Sequence, residues 1–192
     1  MDESVAAFAA ADRANPPKTG GVVFIGSSSI RLWDNLEEQL AGRAIIRRGF
    51  GGSTLADCVR YVGRLVLPYR PRLVVIYAGD NDVAQGALAT EVLERFKQFV
   101  EGVRAELPDT RIAFISIKPS PARLGRMSTI RRANSLVKAY IADKPYLDYI
   151  DIFHPMLNAE GLPRPELFSP DELHLNSSGY ALWESVVAPY VR

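Results

Sequence analysis

The stretch VVFIGSSSIRLW, residues 22–33, decides the fold. Residues 22–25 are a short, uniformly apolar run, which predicts a strand that is covered on both faces. Residues 26–29 read Gly-Ser-Ser-Ser, and a helical pattern over residues 30–40 follows at once. A strand that turns directly into a helix is the repeating unit of a parallel sheet with crossover helices.

The same alternation of strand and helix continues to the end of the chain. Further strands are predicted at residues 44–46, 73–77, 112–117 and 149–152, and further helices at residues 55–65, about 92–103, 130–141 and 181–187. The predicted fold class is therefore α/β, a three-layer α/β/α, flavodoxin-like domain with a five-stranded parallel sheet. For this pattern the common strand order is 2-1-3-4-5.

The length and composition predict one main domain. A chain of 192 residues with 47% hydrophobic residues can bury a single core. Residues 1–18 are predicted to be an N-terminal extension, a short Ala-rich turn of helix before the Pro16-Pro17 break, and residues 19–192 the main domain. Cys58 is the single cysteine, which excludes an intramolecular disulfide and a thiolate metal cluster within the chain.

The charge balance argues against several kinds of partner. With 23 basic and 22 acidic residues the net charge is +1, so nothing favours binding to nucleic acid or to a membrane surface. No stretch approaches the roughly 20 apolar residues of a membrane span. Residues 1–21 lack the pattern of a signal peptide. The default location is cytoplasmic, or periplasmic or secreted if an upstream signal was removed.

Gly26-Ser27-Ser28-Ser29 is the first of four polar segments that follow strands. A serine on a tight strand-to-helix turn exposes its hydroxyl above the sheet and holds its N–H near a helix N-terminus. Both properties suit a nucleophile whose substrate develops an oxyanion. The alternative is a helix N-cap, because serine is a preferred capping residue.

The second segment, residues 47–54, reads RRGFGGST. Its glycines allow a ligand to approach the backbone, and free N–H groups there can bind an anion. It supplies neither a dinucleotide-binding G-x-G-x-x-G in register nor the lysine of a P-loop. The alternative is a turn in which Ser53 or Thr54 caps the next helix.

The third segment, residues 77–82, reads YAGDND. Asn81 can donate an amide N–H to a developing oxyanion, which a carboxylate cannot do. Asp80 and Asp82 are candidate metal ligands, and the alternative for both is a helix-capping turn.

The fourth segment contains one of the two histidines. His174 follows Asp171 by three residues, so the carboxylate can hold one ring nitrogen and leave the other free as a base. His154, the other histidine, is predicted to be a surface or loop residue. Asp148 and Asp151 precede it, but strand alternation gives neither a clear route to its ring.

Taken together, the four segments resemble the SGNH-hydrolase, or GDSL-type, esterase superfamily. The matching blocks are Gly26-Ser27-Ser28, Gly52 within residues 51–54, residues 79–82, and residues 171–174; the match spans residues 21–180. Trp33 and Lys118-Pro119-Ser120 suit the subgroup that resembles the catalytic subunits of platelet-activating-factor acetylhydrolase.

The resemblance implies a role for each matched residue. Ser28, two residues after the glycine of the first block, becomes the nucleophile, with His174 as general base and Asp171 orienting it. The implied oxyanion hole consists of the Ser28 N–H, the Gly52 N–H and the Asn81 side chain. Residues 19–192 become the catalytic domain.

The sequence departs from the family at Ser27, where the family has an aspartate. This position is not a member of the triad, so activity is expected to survive. The departure also leaves a question of register, because Ser27, Ser28 and Ser29 are adjacent candidates for the reactive hydroxyl.

The implied activity is hydrolysis of small carboxylic esters, with no cofactor and no metal. Short acyl groups, acetyl especially, are expected because the sequence has no apparent lid-like insertion or long apolar loop for a fatty chain. Members of the acetylhydrolase-like subgroup often pair, so a homo-oligomer is one expectation. Alternatives are a lysophospholipase or thioesterase with the same triad, a non-catalytic binding domain on the same fold, and a metal- or nucleotide-dependent enzyme that uses Asp80, Asp82 and His174. Arg123, Arg126, Arg131 and Arg132 form a predicted solvated helix face, with an anion-binding rim as the alternative.

Overall fold

A central sheet of five strands organises the computed structural model, which describes residues 2–191. The strands are β1 (Val22–Gly26), β2 (Ile45–Gly49), β3 (Leu73–Tyr77), β4 (Arg111–Ile115) and β5 (Leu147–Ile150). Their spatial order is β2-β1-β3-β4-β5, and every neighbouring pair is parallel. The predicted fold class is confirmed, and the observed strand order is the one that is common for this pattern.

Helices cover both faces of the sheet. They are α1 (Asp2–Ala14), α2 (Ser28–Arg31), α3 (Leu36–Gln39), α4 (Leu55–Leu65), α5 (Asp80–Ala84), α6 (Ala89–Arg104), α7 (Met127–Ile141) and α8 (Ser177–Val187). The buried apolar residues of α1, α4, α6 and α7 belong to one core cluster, and those of α2, α3 and α8 to a second. The sheet therefore separates two cores.

Strand alternation explains why the strand sequences are apolar throughout. In β1, Val23 and Ile25 belong to the first core, whereas Val22 and Phe24 belong to the second. Successive side chains point to opposite faces of a strand, so both sets of residues need an apolar environment.

The prediction of one helix over residues 30–40 is wrong, because the segment forms two short helices, α2 and α3. The Arg47 side chain donates to the backbone carbonyls of Arg31 and Trp33, at 3.4 and 2.8 Å. In a continuous helix these carbonyls would accept the N–H groups four residues later. The long-range contact with β2 thus competes with the helix that the local pattern favours.

Strand β2 also differs from its predicted range of residues 44–46. Ala44 has φ 50°, which is incompatible with a strand, and the strand runs on through Arg47 and Arg48 to Gly49. Arg48 is buried, and its charge is compensated there by Asp12 at 2.6 Å and the Tyr69 hydroxyl at 2.9 Å. The other strands lie within about two residues of their predicted bounds.

The N-terminal segment is more extensive than the short turn predicted for it. Helix α1 spans 13 residues, and its Val5 is fully buried in the first core. The side chain of Asp12 accepts hydrogen bonds from Arg48 and Tyr69, so α1 is attached to β2. The boundary at residue 18 stays a prediction.

Gly26 is required where β1 enters the turn, and Gly26→Ala is expected to lower the free energy of unfolding by about 3 kcal/mol or more. Its φ is +146°, and an added Cβ would lie 1.9 Å from the Tyr77 carbonyl oxygen. That oxygen belongs to β3, so the collision cannot be relieved without moving the sheet. Urea unfolding followed by circular dichroism measures the change.

Gly63→Ala is the matched control for this prediction. Gly63 lies within α4, and an added Cβ there meets nothing within 4 Å. We expect a gain in stability of about 0.5–1 kcal/mol from better helix propensity. Equal effects of the two substitutions would contradict the steric argument for Gly26.

Candidate active site

Ser28 lies where the first strand becomes a helix. The turn is held at the carboxyl edge of the sheet, because Ser27 N–H donates to the Tyr77 carbonyl at 3.0 Å and Phe50 N–H donates to the Gly26 carbonyl at 2.9 Å. These bonds attach the end of β1 to both neighbouring strands. Ser28 is the first residue of α2, so its hydroxyl is on a rigid turn above the sheet.

The three adjacent serines have different surroundings. The Ser28 hydroxyl lies 3.0 Å from Nε2 of His174. Ser29 is buried, and its hydroxyl has no hydrogen-bond partner within residues 2–191. Ser27 occupies the N-cap position of α2, but its side chain makes no capping bond. Of the three, Ser28 is therefore the one that the structure brings to the histidine.

The second half of the cluster is a tight loop that contains Asp171 and His174. Asp171 Oδ2 lies 2.6 Å from His174 Nδ1. Its other oxygen, Oδ1, accepts the backbone N–H groups of Leu173 and His174, at 3.0 and 2.9 Å. One carboxylate thus fixes both the ring and the backbone of the loop, which the three-residue spacing makes possible.

These hydrogen bonds also fix the ionisation of Asp171. The bond with the His174 ring, followed by the two backbone N–H bonds, lowers the pKa of Asp171 to about 2. An ionised carboxylate only accepts hydrogen bonds, so Nδ1 of His174 is the protonated ring nitrogen in the neutral imidazole. Nε2 is then free to accept the proton of Ser28.

Backbone contacts hold the loop in a strained conformation. Glu172, between the two site residues, has φ 58°. Its N–H donates to the Ser169 carbonyl at 2.9 Å, and its carbonyl accepts the Ala122 N–H at 3.1 Å. Such conformations persist only where the surroundings enforce them, and they are common at functional sites. The segment at Ala122 is therefore one support of the loop.

The glycine segment after β2 leaves its backbone accessible, as the sequence predicts. Gly52 has φ 74° and is exposed, and a Cβ added to it would meet no atom within 4 Å. Its conformation, rather than its contacts, is what favours glycine. The alternative interpretation of this segment, a turn that caps the next helix, is also correct, because Thr54 forms a capping box with Asp57 at the start of α4.

Asn81 connects the third segment to this glycine loop. Its side-chain Nδ2 donates to the Ser53 carbonyl at 3.0 Å. Asp82, the next residue, is fully buried; its Oδ2 accepts the Leu55 N–H and its Oδ1 pairs with Arg95 at 2.7 Å. The two segments therefore form one hydrogen-bonded unit at adjacent strand ends.

Asp80 does not cap a helix, which was the alternative for it. It is buried, and its two oxygens bind Lys118 at 3.0 Å and Arg123 at 3.2 Å. Lys118 is also buried and donates to the Tyr77 hydroxyl at 3.2 Å. Burial works to raise the pKa of Asp80, but the two cations outweigh it, so this pKa lies below its usual value.

The structure corrects the prediction for Arg123. This residue lies at a kink within the 3-10 segment Pro121–Arg126, and its half-buried side chain pairs with the buried Asp80 instead of belonging to a solvated helix face. Arg126, Arg131 and Arg132 are exposed, as predicted.

The prediction for His154 is half correct. Its side chain is 70% exposed, as expected of a surface residue. However, its Nδ1 lies 2.7 Å from Asp151 Oδ2, so it does have a carboxylate partner at the three-residue spacing. The error has a physical cause: β5 ends at Ile150, so Asp151 is no longer subject to strand alternation.

The side chains that could ligate a metal ion do not support the hypothesis of a metal-dependent enzyme. Within residues 2–191 no three histidine, cysteine, aspartate or glutamate side chains form a group that could hold a metal ion. Asp80 and Asp82 are each neutralised by basic side chains, and His174 binds Asp171 and Ser28.

No helix in the described part of the chain is long and apolar enough to cross a membrane.

The fold and the site define a class of protein. A parallel α/β/α sheet that holds a hydrogen-bonded serine, histidine and aspartate at its carboxyl edge is an arrangement used by hydrolases. A profile of the GDSL-like lipase/acylhydrolase family matches residues 21–182, and the chain belongs to that family. It is an ester-cleaving hydrolase. A search of curated proteins found no match.

Several solved structures have the same fold. One, assigned as a platelet activating factor from Streptococcus pneumonia, has a TM-score of 0.88 at 17% identity, over 100% of this chain and 92% of that one. A GDSL-like lipase from Bacteroides thetaiotaomicron has a TM-score of 0.82 at 21% identity, over 97% and 96% of the two chains. A carbohydrate esterase family 3 protein from Talaromyces cellulolyticus has a TM-score of 0.73 at 19% identity, over 90% and 96%.

Proposed function

We propose that this protein is a serine esterase that hydrolyses small carboxylic esters through an acyl-enzyme on Ser28. The observation that supports it most directly is the chain of two hydrogen bonds. Asp171 Oδ2 lies 2.6 Å from His174 Nδ1, and His174 Nε2 lies 3.0 Å from Ser28 Oγ. Nucleophile, base and orienting carboxylate are within the distances that proton transfer requires.

In the proposed mechanism His174 is the general base. It takes the Ser28 proton while Oγ attacks the ester carbonyl, and the resulting imidazolium is stabilised by Asp171. His174 then returns the proton to the alkoxide as the alcohol leaves. Water, activated in the same way, attacks the acyl-enzyme and releases the carboxylic acid.

The oxyanion of the tetrahedral intermediate is proposed to bind the Ser28 N–H, the Gly52 N–H and the Asn81 amide. Asn81 Nδ2 has two hydrogens, and its bond to the Ser53 carbonyl uses one of them. The second remains as a donor. Because Ser53 follows Gly52 directly, the same bond holds the glycine loop beside Asn81. Each such donor is typically worth about 3 kcal/mol in the transition state.

A short acyl group is proposed because the described surface offers little to a long chain. Among residues 2–191 the exposed large hydrophobic side chains are Leu88, Leu124 and Leu162. A fatty acyl chain would need a continuous apolar surface. The long segment between β5 and α8 is not a free flap, since Leu157 pairs with Pro163 and Phe168 pairs with Leu175.

A panel of esters tests the proposal. We expect kcat/KM for 4-nitrophenyl esters to be highest at acetyl and to fall steadily to palmitoyl. The panel should include acetylated sugars, since one structural neighbour is a carbohydrate esterase, and a thioester. A maximum at palmitoyl, or hydrolysis of the thioester alone, would contradict the proposed substrate class.

A further inference from the structure

A cluster of three charged side chains, two of them buried, lies beside the proposed active site. Asp80 is 5% exposed and Lys118 is 1% exposed, and each makes its ion pair with little contact to water. Burial of a charge is costly unless a partner compensates for it. The third member, Arg123, binds the second oxygen of Asp80 through Nε at 3.2 Å.

The charges of this cluster do not balance. Lys118 and Arg123 contribute two positive charges against the one negative charge of Asp80. Within residues 2–191, Asp80 is the one carboxylate within 4.0 Å of either cation. Burial raises the pKa of Tyr77, the other polar neighbour, so that hydroxyl stays neutral. One positive charge is therefore left over.

Arg123 is the member of the cluster at which the surplus charge is accessible. Its side chain is 22% exposed, whereas that of Lys118 is 2% exposed. The bond to Asp80 uses Nε, and Nη1 and Nη2 of Arg123 have no partner in the described part of the chain. A guanidinium that is held at Nε keeps a planar pair of donors that suits a carboxylate or phosphate.

The position of Arg123 joins both halves of the proposed site. Its partner Asp80 immediately precedes Asn81, the proposed oxyanion donor. Its neighbour Ala122 donates to the carbonyl of Glu172, which lies between Asp171 and His174. The backbone beside Arg123 is thus attached to the triad loop, and the guanidinium itself is attached to the residue that precedes Asn81.

We propose that Arg123 is a substrate-binding residue that selects esters bearing a negatively charged group. This inference rests on the proposed function and adds the class of substrate. The anion would bind the unpartnered edge of the guanidinium and neutralise the surplus charge of the cluster. Asp80 and Lys118 are positioning residues, which fix the guanidinium before the substrate binds.

The test compares two pairs of esters that differ in charge but hardly in shape. The first pair places the charge on the alcohol: 4-acetoxybenzoate against its neutral methyl ester, with acetate release measured. The second places it on the acyl group: the 4-nitrophenyl monoester of fumaric acid against 4-nitrophenyl methyl fumarate, in which the trans double bond keeps the carboxylate from attacking its own ester. For each protein variant the measured quantity is the ratio of kcat/KM for the charged ester to that for the neutral ester, each first divided by the rate constant of that ester with hydroxide, because the carboxylate lowers the intrinsic reactivity of the ester.

In the wild-type protein the ratio should exceed one for at least one pair, and that pair shows which part of the ester bears the anion. Arg123→Gln should lower this ratio by about 10- to 100-fold, as expected for hydrogen bonds to a charged group. The loss should appear mainly in KM. Any general damage to the site affects both esters and cancels in the ratio. Arg123→Lys should be intermediate, because lysine keeps the charge without the planar pair of donors.

Arg126→Gln is the matched control. Arg126 lies three residues later in the same 3-10 segment and is exposed, and it has no carboxylate within 4.0 Å among the described residues. The ratio of charged to neutral ester measured for Arg126→Gln should equal that of the wild type. An equal fall with Arg126→Gln would show diffuse attraction rather than a site. A wild-type ratio below one for both pairs, or an unchanged ratio in Arg123→Gln, would overturn the proposal.

Failure of this inference is distinguishable from failure of the proposed function. If Ser28→Ala hydrolyses the four esters as well as the wild type, the proposed nucleophile is wrong. If hydrolysis depends on Ser28 but the ratio does not depend on Arg123, the esterase proposal stands and the assignment of Arg123 is overturned.

Discussion

Replacing Ser28 with alanine is expected to lower kcat/KM for 4-nitrophenyl acetate by about four orders of magnitude or more, because the substitution removes the attacking oxygen. The fold should be unchanged. The Ser28 side chain is partly exposed, and the bond of its hydroxyl is with His174. Hydrolysis by His174 acting directly on water would be the residual activity.

Ser27→Ala and Ser29→Ala are the matched controls, since the three serines are adjacent. Neither hydroxyl binds His174, so both variants should keep their activity and their labelling by a fluorophosphonate probe. Ser28→Ala should lose the labelling. An inactive, unlabelled Ser27→Ala or Ser29→Ala together with an active Ser28→Ala would show that the register is wrong.

The parallel sheet was predictable because its strands are buried on both faces. Strand β3 has the predicted bounds, and its five residues are all buried. The predictions were weaker where a distant side chain competes with the local pattern. Arg47 divides the predicted helix of residues 30–40, and its contacts with Arg31 and Trp33 span 16 and 14 residues. A local period cannot reveal a partner that only the sheet brings close.

The residues of the site were likewise predictable where their contacts are local in the sequence and not where the contacts are distant. Asp171 and His174 were recognisable because their three-residue spacing makes the contact local. The contacts of Asp80 with Lys118 and Arg123 span 38 and 43 residues, so no spacing indicates them. Lys118, directly after the predicted strand of residues 112–117, was the available signal, because a lysine there needs a partner. Asp151 and His154 had the recognisable spacing, but the predicted end of β5 was two residues too late.

Asp171→Asn is expected to lower kcat by about 10⁴-fold, because the amide would favour the wrong tautomer of His174. Oδ1 of Asp171 accepts two backbone N–H groups, at 3.0 and 2.9 Å. In the asparagine variant this place requires the amide oxygen, so the NH₂ group faces Nδ1 of His174. Nδ1 must then accept a hydrogen bond, and the proton moves to Nε2, which can no longer accept the proton of Ser28.

Asp171→Ala separates this tautomer effect from the loss of charge. Alanine leaves Nδ1 open to water, which can accept its proton, so Asp171→Ala should be at least as active as Asp171→Asn. A more active Asp171→Asn would contradict the tautomer argument. The pH profile adds an independent check. Since the pKa of Asp171 is about 2, this carboxylate is ionised in the native protein at every ordinary assay pH. Its protonation affects kcat only as the pH falls towards 2. The loss of kcat in Asp171→Asn relative to the wild type should therefore be undiminished at neutral pH. A fall in the kcat of the wild type between pH 7 and pH 4 must be assigned to another group.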